Sequence, residues 1–413
     1  MEADMKYLNF GSCNIDYVYS LDHIVRAGET LSSESLNIFP GGKGLNQSIA
    51  LARAGAKVFH AGCVGTDGEL LLNTLRENGV DTSYIKTVDE KNGHAIIEVS
   101  RDGENSIFLF AGSNVMITRE HIDEVLKDFD AGDVLLLQNE INNLEYIIEA
   151  AHKKGMFILL NPSPINEAIF ALDLSKLSCI ILNEGEMRDI SGKTDIDEGL
   201  EYIRAKYPAL RIMLTLGKDG CVYRFGDERI YHPIFEATPV DTTAAGDTFT
   251  GYFAAELADT SDMKRTLKLA SCAAAISVSR HGAAPSIPER SEVIAALSTM
   301  KIKENDKTAE RLKSKIEKYI DENLTSLSLQ ALSEQLGYST VYTGAITKRL
   351  FGASFTKLVQ ERRLMLAARL LQETELTVCE IIKQAGYENE HYFREKFKEK
   401  YGKKPLEYRK NKE

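Results

Sequence analysis

VDTTAAGDTFTGYF, residues 240–253, is the stretch from which the rest of the chain can be read. An Asp-Thr-rich loop passes into three residues with almost no side chain, Ala244, Ala245 and Gly246, and then into the start of a helix. Small residues at a helix N-terminus let backbone N–H groups approach an anion closely, where the helix dipole already favours negative charge. Asp247 follows directly, and a carboxylate beside a phosphate cradle is costly unless it takes a proton or binds a cation. The combination suggests phosphoryl transfer, with Asp247 as base for an incoming hydroxyl. An ordinary capped helix is the alternative, because Asp and Thr are common N-cap residues.

The chain has 413 residues, enough for two or three domains, and 43% hydrophobic content supports sizeable cores. Residues 1–300 carry 27 basic against 44 acidic side chains, net −17, whereas residues 301–413 carry 23 against 17, net +6. Two bodies with different partners are implied: an acidic one suited to an enzyme and a mildly basic one able to approach nucleic acid. No run of 18 apolar residues occurs and residues 1–6 are polar, so a cytoplasmic protein without membrane contact is expected. Cys13, Cys63, Cys179, Cys221, Cys272 and Cys379 lie scattered, with no CxxC pair or zinc spacing, and read as reduced core thiols.

From the N-terminus, a strand over 7–10 runs into the polar loop GSCNID, 11–16, where Asn14 and Asp16 can project into one pocket or simply serve a turn. PGGKGLN, 40–46, precedes an Ala-rich helix over 47–54; its glycines admit a ligand to the backbone, while Lys43 and Asn46 supply donors. The run lacks Walker A spacing, so it is not a P-loop. Strands over 31–39, 93–99 and 106–110, the last two flanking the hairpin signal RDGE at 101–104, can form a small separate sheet. Runs at 58–64, 134–138, 157–160, 179–182 and 212–216 alternate with helical segments and predict a mostly parallel sheet with helices on both faces. Polar residues cluster after these strands: Glu140, the NEGE of 183–186 and the TLGKDG of 215–220.

The 240–253 stretch closely resembles the second signature of the ribokinase-like (PfkB) sugar kinases, D-T-x-G/A-A-G-D, and GGKGLNQSIALARAG, 41–55, resembles their first. The resemblance covers about residues 5–297 and implies a doubly wound α/β domain with a small β lid that covers the sugar and often mediates dimerisation. It implies that Asp247 is the catalytic base, that the amides of Ala244, Ala245 and Gly246 form an anion hole, and that Asn14, Asp16, Gly42, Lys43, Asn46 and Glu140 bind the sugar. It places Asn183 and Glu186 at water and Mg²⁺ near the phosphates of ATP, with Thr215, Gly217 and Gly220 at the nucleotide. Asp241, Thr243, Ser277, Arg280, Gly282 and Ser286 match the loops that hold a monovalent cation, usually K⁺. Ser271 stands where some bacterial ribokinases carry a His near adenine. Ribose is the favoured substrate; deoxyribose, fructose or a nucleoside are alternatives, as is a sensor that keeps the kinase fold.

Residues 298–307 lose apolar periodicity, and a linker is expected over 301–307 between a domain at 1–300 and another at 308–413. Beyond it, a helix is expected over 309–323, then helices at 330–335 and 339–350 about a turn at 336–338, with Ser339 as N-cap. A long helix over 355–372 and a second unit, 378–384, Ala385-Gly386-Tyr387 and 388–401, complete the pattern. Two such units resemble the AraC-type DNA-binding domain, which implies binding to duplex DNA. Thr340, Tyr342, Lys348, Arg349, Asn389, His391, Arg394 and Lys398 are the candidate contacts, and Tyr392, Phe393 and Phe397 read as a core stripe. Ala345 and Glu395 stand where the family usually carries an Arg, and Thr343 and Thr347 where it is apolar.

Overall fold

Runs of Val, Leu and Ile without alternation suit strands covered on both faces, as parallel sheets require. Val134–Gln138 is buried along its whole length, and Cys179–Asn183 along all but its last residue. A computed structural model of the protein describes residues 5–259, 262–303, 306–336, 340–387 and 389–410, except the side chains of 258, 259, 306–309, 311, 341, 342, 345 and 349. The chain divides into two compact units, Met1–Lys303 and Glu304–Glu413.

In the first unit a nine-stranded sheet runs, edge to edge, Glu228–His232, Cys221–Phe225, Arg211–Thr215, Cys179–Asn183, Phe157–Asn161, Val134–Gln138, Lys6–Phe10, Lys57–Val64 and Asp81–Thr87. The seven strands from Arg211–Thr215 to Asp81–Thr87 are parallel, and the other two are antiparallel. Apolar clusters fill both faces: Leu45, Ile49 and Tyr252 stand in one, and Phe129, Ile147 and Leu200 in the other. The Asp81–Thr87 and Glu228–His232 edges are not evident in the sequence because half-exposed polar strands carry no apolar run.

The lid is a four-stranded sheet in the order Ser35–Gly41, Asn14–Leu21, Gly93–Ser100, Asn105–Phe110. Its first strand begins later than the 31–39 reading, and Asn14 and Asp16, for which a turn was the alternative, stand at the start of a strand. Along a strand, residues two apart share a face, so both can serve one pocket. The outer strand is exposed throughout, with Ile107, Phe108, Leu109 and Phe110 each about half exposed.

The expected linker is also corrected at its start. Ile302–Lys303 is a strand paired antiparallel with Ile234–Phe235, and the Glu236 N–H donates to the Lys301 carbonyl at 2.7 Å. Loss of apolar periodicity marks the end of a helix as readily as the end of a domain.

The second unit holds two small cores bridged by the helix Phe355–Glu373. One gathers Leu312, Ile316, Leu332 and Ile346 with Phe355 and Leu358; the other gathers Leu364, Leu371, Ile381, Phe393 and Phe397. The helices Leu329–Leu336 and Thr340–Phe351 form the first pair, Val378–Gln384 and Glu390–Tyr401 the second. Ser339 and the turn residues 337 and 338 lie outside the described residues. Thr343 and Thr347 are fully buried, and the Thr347 hydroxyl donates to the Thr343 carbonyl at 2.7 Å, so polar side chains replace apolar ones there without losing a hydrogen bond.

Candidate active site

The helix Lys43–Arg53 starts where the lid strand Ser35–Gly41 ends, so the glycine-rich run turns from lid to body at the site. A Cβ at Gly41 would lie 2.0 Å from Asp16 Oδ2, and Gly42 sits at φ 93, where side chains are disfavoured. Glycine here lets the Asp16 carboxylate stand against the backbone. Asn14 Oδ1 accepts from Asn114 Nδ2 at 2.7 Å, and Asn114 Oδ1 accepts the Cys13 N–H at 2.9 Å. Glu140, two residues past a sheet strand, accepts from the Lys43 N–H at 3.1 Å and from the Ser12 hydroxyl.

The helix Ala245–Asp259 brings Asp247 to the same place from the far end of the domain. Its Oδ2 accepts from Asn46 Nδ2 at 3.1 Å and its Oδ1 from Gln47 Nε2 at 2.9 Å. Gln47 is fixed in turn, since its Oε1 accepts from Gln138 Nε2 at 2.8 Å. Asn46 Oδ1 is buried without a partner among the described residues, an acceptor that suits a ligand hydroxyl.

Lys43 lies within the field of Asp247, Glu140 and Glu186, and Asp16 stands near enough to Glu140 and Asp247 to feel both. Burial, then Glu140 and Asp247, push the Asp16 pKa up to about 7. Burial also raises Glu140, against the opposing pull of Lys43 and Ser12. Lys43 is held above its ordinary value chiefly by Asp247, so it stays charged. Acceptors in this number with one cation fit a neutral molecule rich in hydroxyl donors.

A pocket of about 440 Å³ opens beside the start of Ala245–Asp259 and is lined by Thr215, Gly217, Gly220, Ala245 and Gly246 among others. Its remaining walls include Phe235, Pro239, Phe249, Ala274 and Val278, an apolar slot of a size that takes a nucleoside. Ser271 lies on this wall, its hydroxyl 3.7 Å from Cys221 Sγ. Ala244 is buried. The Ala245 N–H donates to the Thr242 carbonyl at 3.3 Å, whereas Gly246, on the pocket wall, stands in the first turn of the helix, where amides have no preceding turn to bond.

Asn183 and Glu186 form a capping box: Asn183 Oδ1 accepts the Glu186 N–H at 2.9 Å, and Glu186 Oε2 accepts the Asn183 N–H at 2.9 Å. Burial raises the Glu186 pKa. No group of three or more His, Cys, Asp or Glu able to hold a metal exists among the described residues.

The two expected cation loops meet. Asp241 Oδ1 accepts the Thr243 N–H at 2.9 Å, and its Oδ2 accepts the Gly282 N–H at 3.0 Å. Burial works to raise the Asp241 pKa, but these hydrogen bonds outweigh it and hold it low. The Ser277 and Ser286 hydroxyls lie 2.8 Å apart, and the Arg280 side chain is taken by Glu292 at 2.8 Å, leaving Arg280 only its backbone for the loop.

Gln47, Asn114 and the apolar pocket walls were not picked out from the sequence. Gln47 sat inside the quoted glycine-rich stretch, and its donor amide was the signal; Asn114 has none, since an Asn in a loop is unremarked until the fold places it.

In the second unit, Thr340, Lys348, His391 and Lys398 are exposed. The side chains of Tyr342, Ala345 and Arg349 lie outside the described residues. Asn389 is the N-cap of Glu390–Tyr401, accepting the Tyr392 N–H at 2.9 Å, which occupies its oxygen. Arg394 donates to Glu390 at 2.9 Å, and His391 lies 3.8 Å from Glu395. Phe393 and Phe397 are fully buried as expected, but Tyr392 is 45% exposed, because adjacent helix positions do not share a face.

A carboxylate held in the first turn of a helix, near an acceptor-rich cleft that fits a hydroxyl-bearing ligand and a nucleoside-sized slot, defines the class: an ATP-dependent sugar kinase. Residues 6–290 match the model of the pfkB family carbohydrate kinases, and the chain belongs to that family. Residues 332–411 match a helix-turn-helix domain model. Over 292 residues the chain is 37% identical to a ribokinase of Bacillus subtilis, covering 70% of this chain and 98% of that one. It is similar to the structure of a Cryptococcus neoformans ribokinase in complex with ADP, at 34% identity, TM-score 0.63, 70% of this chain and 99% of that one. It is also similar to an Arabidopsis thaliana ribokinase complexed with ribose and ATP, at 27% identity, TM-score 0.64, 71% of this chain and 99% of the other. No helix among the described residues is long and apolar enough to cross a membrane.

Proposed function

We propose that the protein phosphorylates D-ribose to D-ribose 5-phosphate with ATP, and that its helix-turn-helix unit binds duplex DNA and couples transcription to the sugar or nucleotide. The observation that carries the first part is the Asp247 carboxylate, gripped by Asn46 and Gln47 within reach of the cleft lined by Asn14, Asp16 and Glu140. Asp16, Glu140 and the open oxygen of Asn46 accept from sugar hydroxyls and orient the ring. Asp247 takes the proton of the reacting hydroxyl as its oxygen bonds to the γ-phosphorus and the bond to the bridging oxygen of ADP breaks. Lys43 and the amides of the turn at residues 244–246 neutralise the charge that develops on the phosphoryl oxygens.

Glu186 would hold Mg²⁺ through water, which suits an ion that keeps several waters and a site with one buried carboxylate. The loops joined by Asp241 and Gly282 would hold K⁺, largely through carbonyls, and steady the anion-hole turn. The family resemblance and the exposed lid strands favour a homodimer formed through the lid. Exposed Lys348 and Lys398, with a charge of +6 over residues 301–413, support the DNA reading.

The deciding experiment is a coupled ADP-release assay on the purified protein with ribose, deoxyribose, fructose and a nucleoside. The highest kcat/KM falls on ribose, and turnover rises when K⁺ replaces a bulky organic cation. A higher kcat/KM for any other acceptor ends the ribose assignment, and no turnover with any of them leaves a sensor.

A further inference from the structure

The carbohydrate kinase match ends at residue 290, yet the chain returns to the nucleotide pocket thirteen residues later. Ile302–Lys303 pairs antiparallel with Ile234–Phe235, Ile234 opposite Lys303 and Phe235 opposite Ile302. Ile234, Phe235 and Lys303 all line the pocket. Phe235 is buried in the core, which fixes the inner strand. The outer strand is held by two paired residues, with Ile302 38% exposed, so it is the loosely anchored side of the wall. The next residue, Glu304, begins the second unit.

A lysine at the edge of a mainly apolar slot gains little from that slot and much from an anionic ligand within it. We infer that Lys303 is a nucleotide-binding residue supplied by the strand that leads into the helix-turn-helix unit, so that nucleotide occupancy orders this strand and fixes the point where that unit is attached. The inference rests on the reading of the pocket as the nucleotide site.

The test uses the full-length protein and ADP. By calorimetry, Lys303→Ala weakens ADP binding about three- to tenfold, as loss of one partly solvated charged hydrogen bond would. Lys303→Glu weakens it further by setting like charge against phosphate. Lys301→Ala, whose side chain is not on the pocket, leaves affinity unchanged. Hydrogen exchange at the amides of 234–236 and 301–303 slows on adding ADP to the wild type and not to Lys303→Ala. Equal ADP affinity in all variants, or exchange that ignores ADP in the wild type, overturns the inference while leaving the pocket assignment intact. Failure of the wild type to bind ADP at all overturns the pocket assignment, and this inference with it.

Discussion

Gln47 donates to Asp247 Oδ1 at 2.9 Å, joining residues 200 apart in the chain and aiming the carboxylate at the cleft. An amide at position 247 keeps the shape but cannot take a proton. Asp247→Asn therefore lowers kcat about 10²- to 10⁴-fold while ribose still binds by calorimetry. Turnover near wild type would remove Asp247 from the role of base.

Gly41 has no room for a methyl group: its Cβ would stand 2.0 Å from Asp16 Oδ2. Gly41→Ala must therefore displace the Asp16 carboxylate. We expect the KM for sugar to rise at least about tenfold, the scale of one lost hydrogen bond to a charged group, with the KM for ATP little changed. Steady-state kinetics with each substrate varied in turn separate the two, and an equal rise in both would point to general damage.

Asp16 carries a pKa of about 7 in the folded protein against an ordinary 3.8, with burial the leading cause. Between those values the folded protein binds more protons than the unfolded chain. The stability that this shift contributes is complete below 3.8 and is lost as pH rises through about 7. Melting curves of the ligand-free protein should fall over that window, and less so in Asp16→Asn. Sugar binding needs the ionised acceptor, so the KM for sugar should fall as pH rises through about 7. A KM flat across that range would mean that the carboxylate is ionised throughout.

Four consecutive apolar side chains, Ile107, Phe108, Leu109 and Phe110, are each about half exposed on the outer lid strand. Solvated monomers rarely keep such a strip. Phe108→Glu should shift sedimentation from dimer to monomer. A wild type that sediments as a monomer at every concentration would end the dimer proposal.

Lys398 is exposed on the helix Glu390–Tyr401, whereas Arg394 is occupied by Glu390 and His391 lies near Glu395. If this helix meets the duplex, Lys398→Ala weakens binding at low salt and reduces the slope of log K against log salt by about 1. A mobility-shift titration on the DNA upstream of its own coding sequence measures both. An unchanged slope would place the duplex on another surface.

The sequence by itself determined the chemistry and the helices. Residues 41–47 and 240–247 each hold several candidate site residues within one turn or loop, so the proposed anion-hole turn, the proposed base and the candidate donors Lys43 and Asn46 are visible without a fold. The two helix-turn-helix units were equally legible, because apolar spacing near 3.6 residues is a local property. Only the tertiary structure decided that Gln47 and Gln138 hold Asp247, that Asn114 backs Asn14, and that polar edge strands complete the sheet. It also turned the start of the expected linker into a strand on the apolar pocket proposed to take the nucleotide. The physical reason is the same in each case: periodicity records which face of a segment is buried, whereas pairing across 100 or 200 residues depends on which segment the fold brings alongside, and no local pattern encodes that.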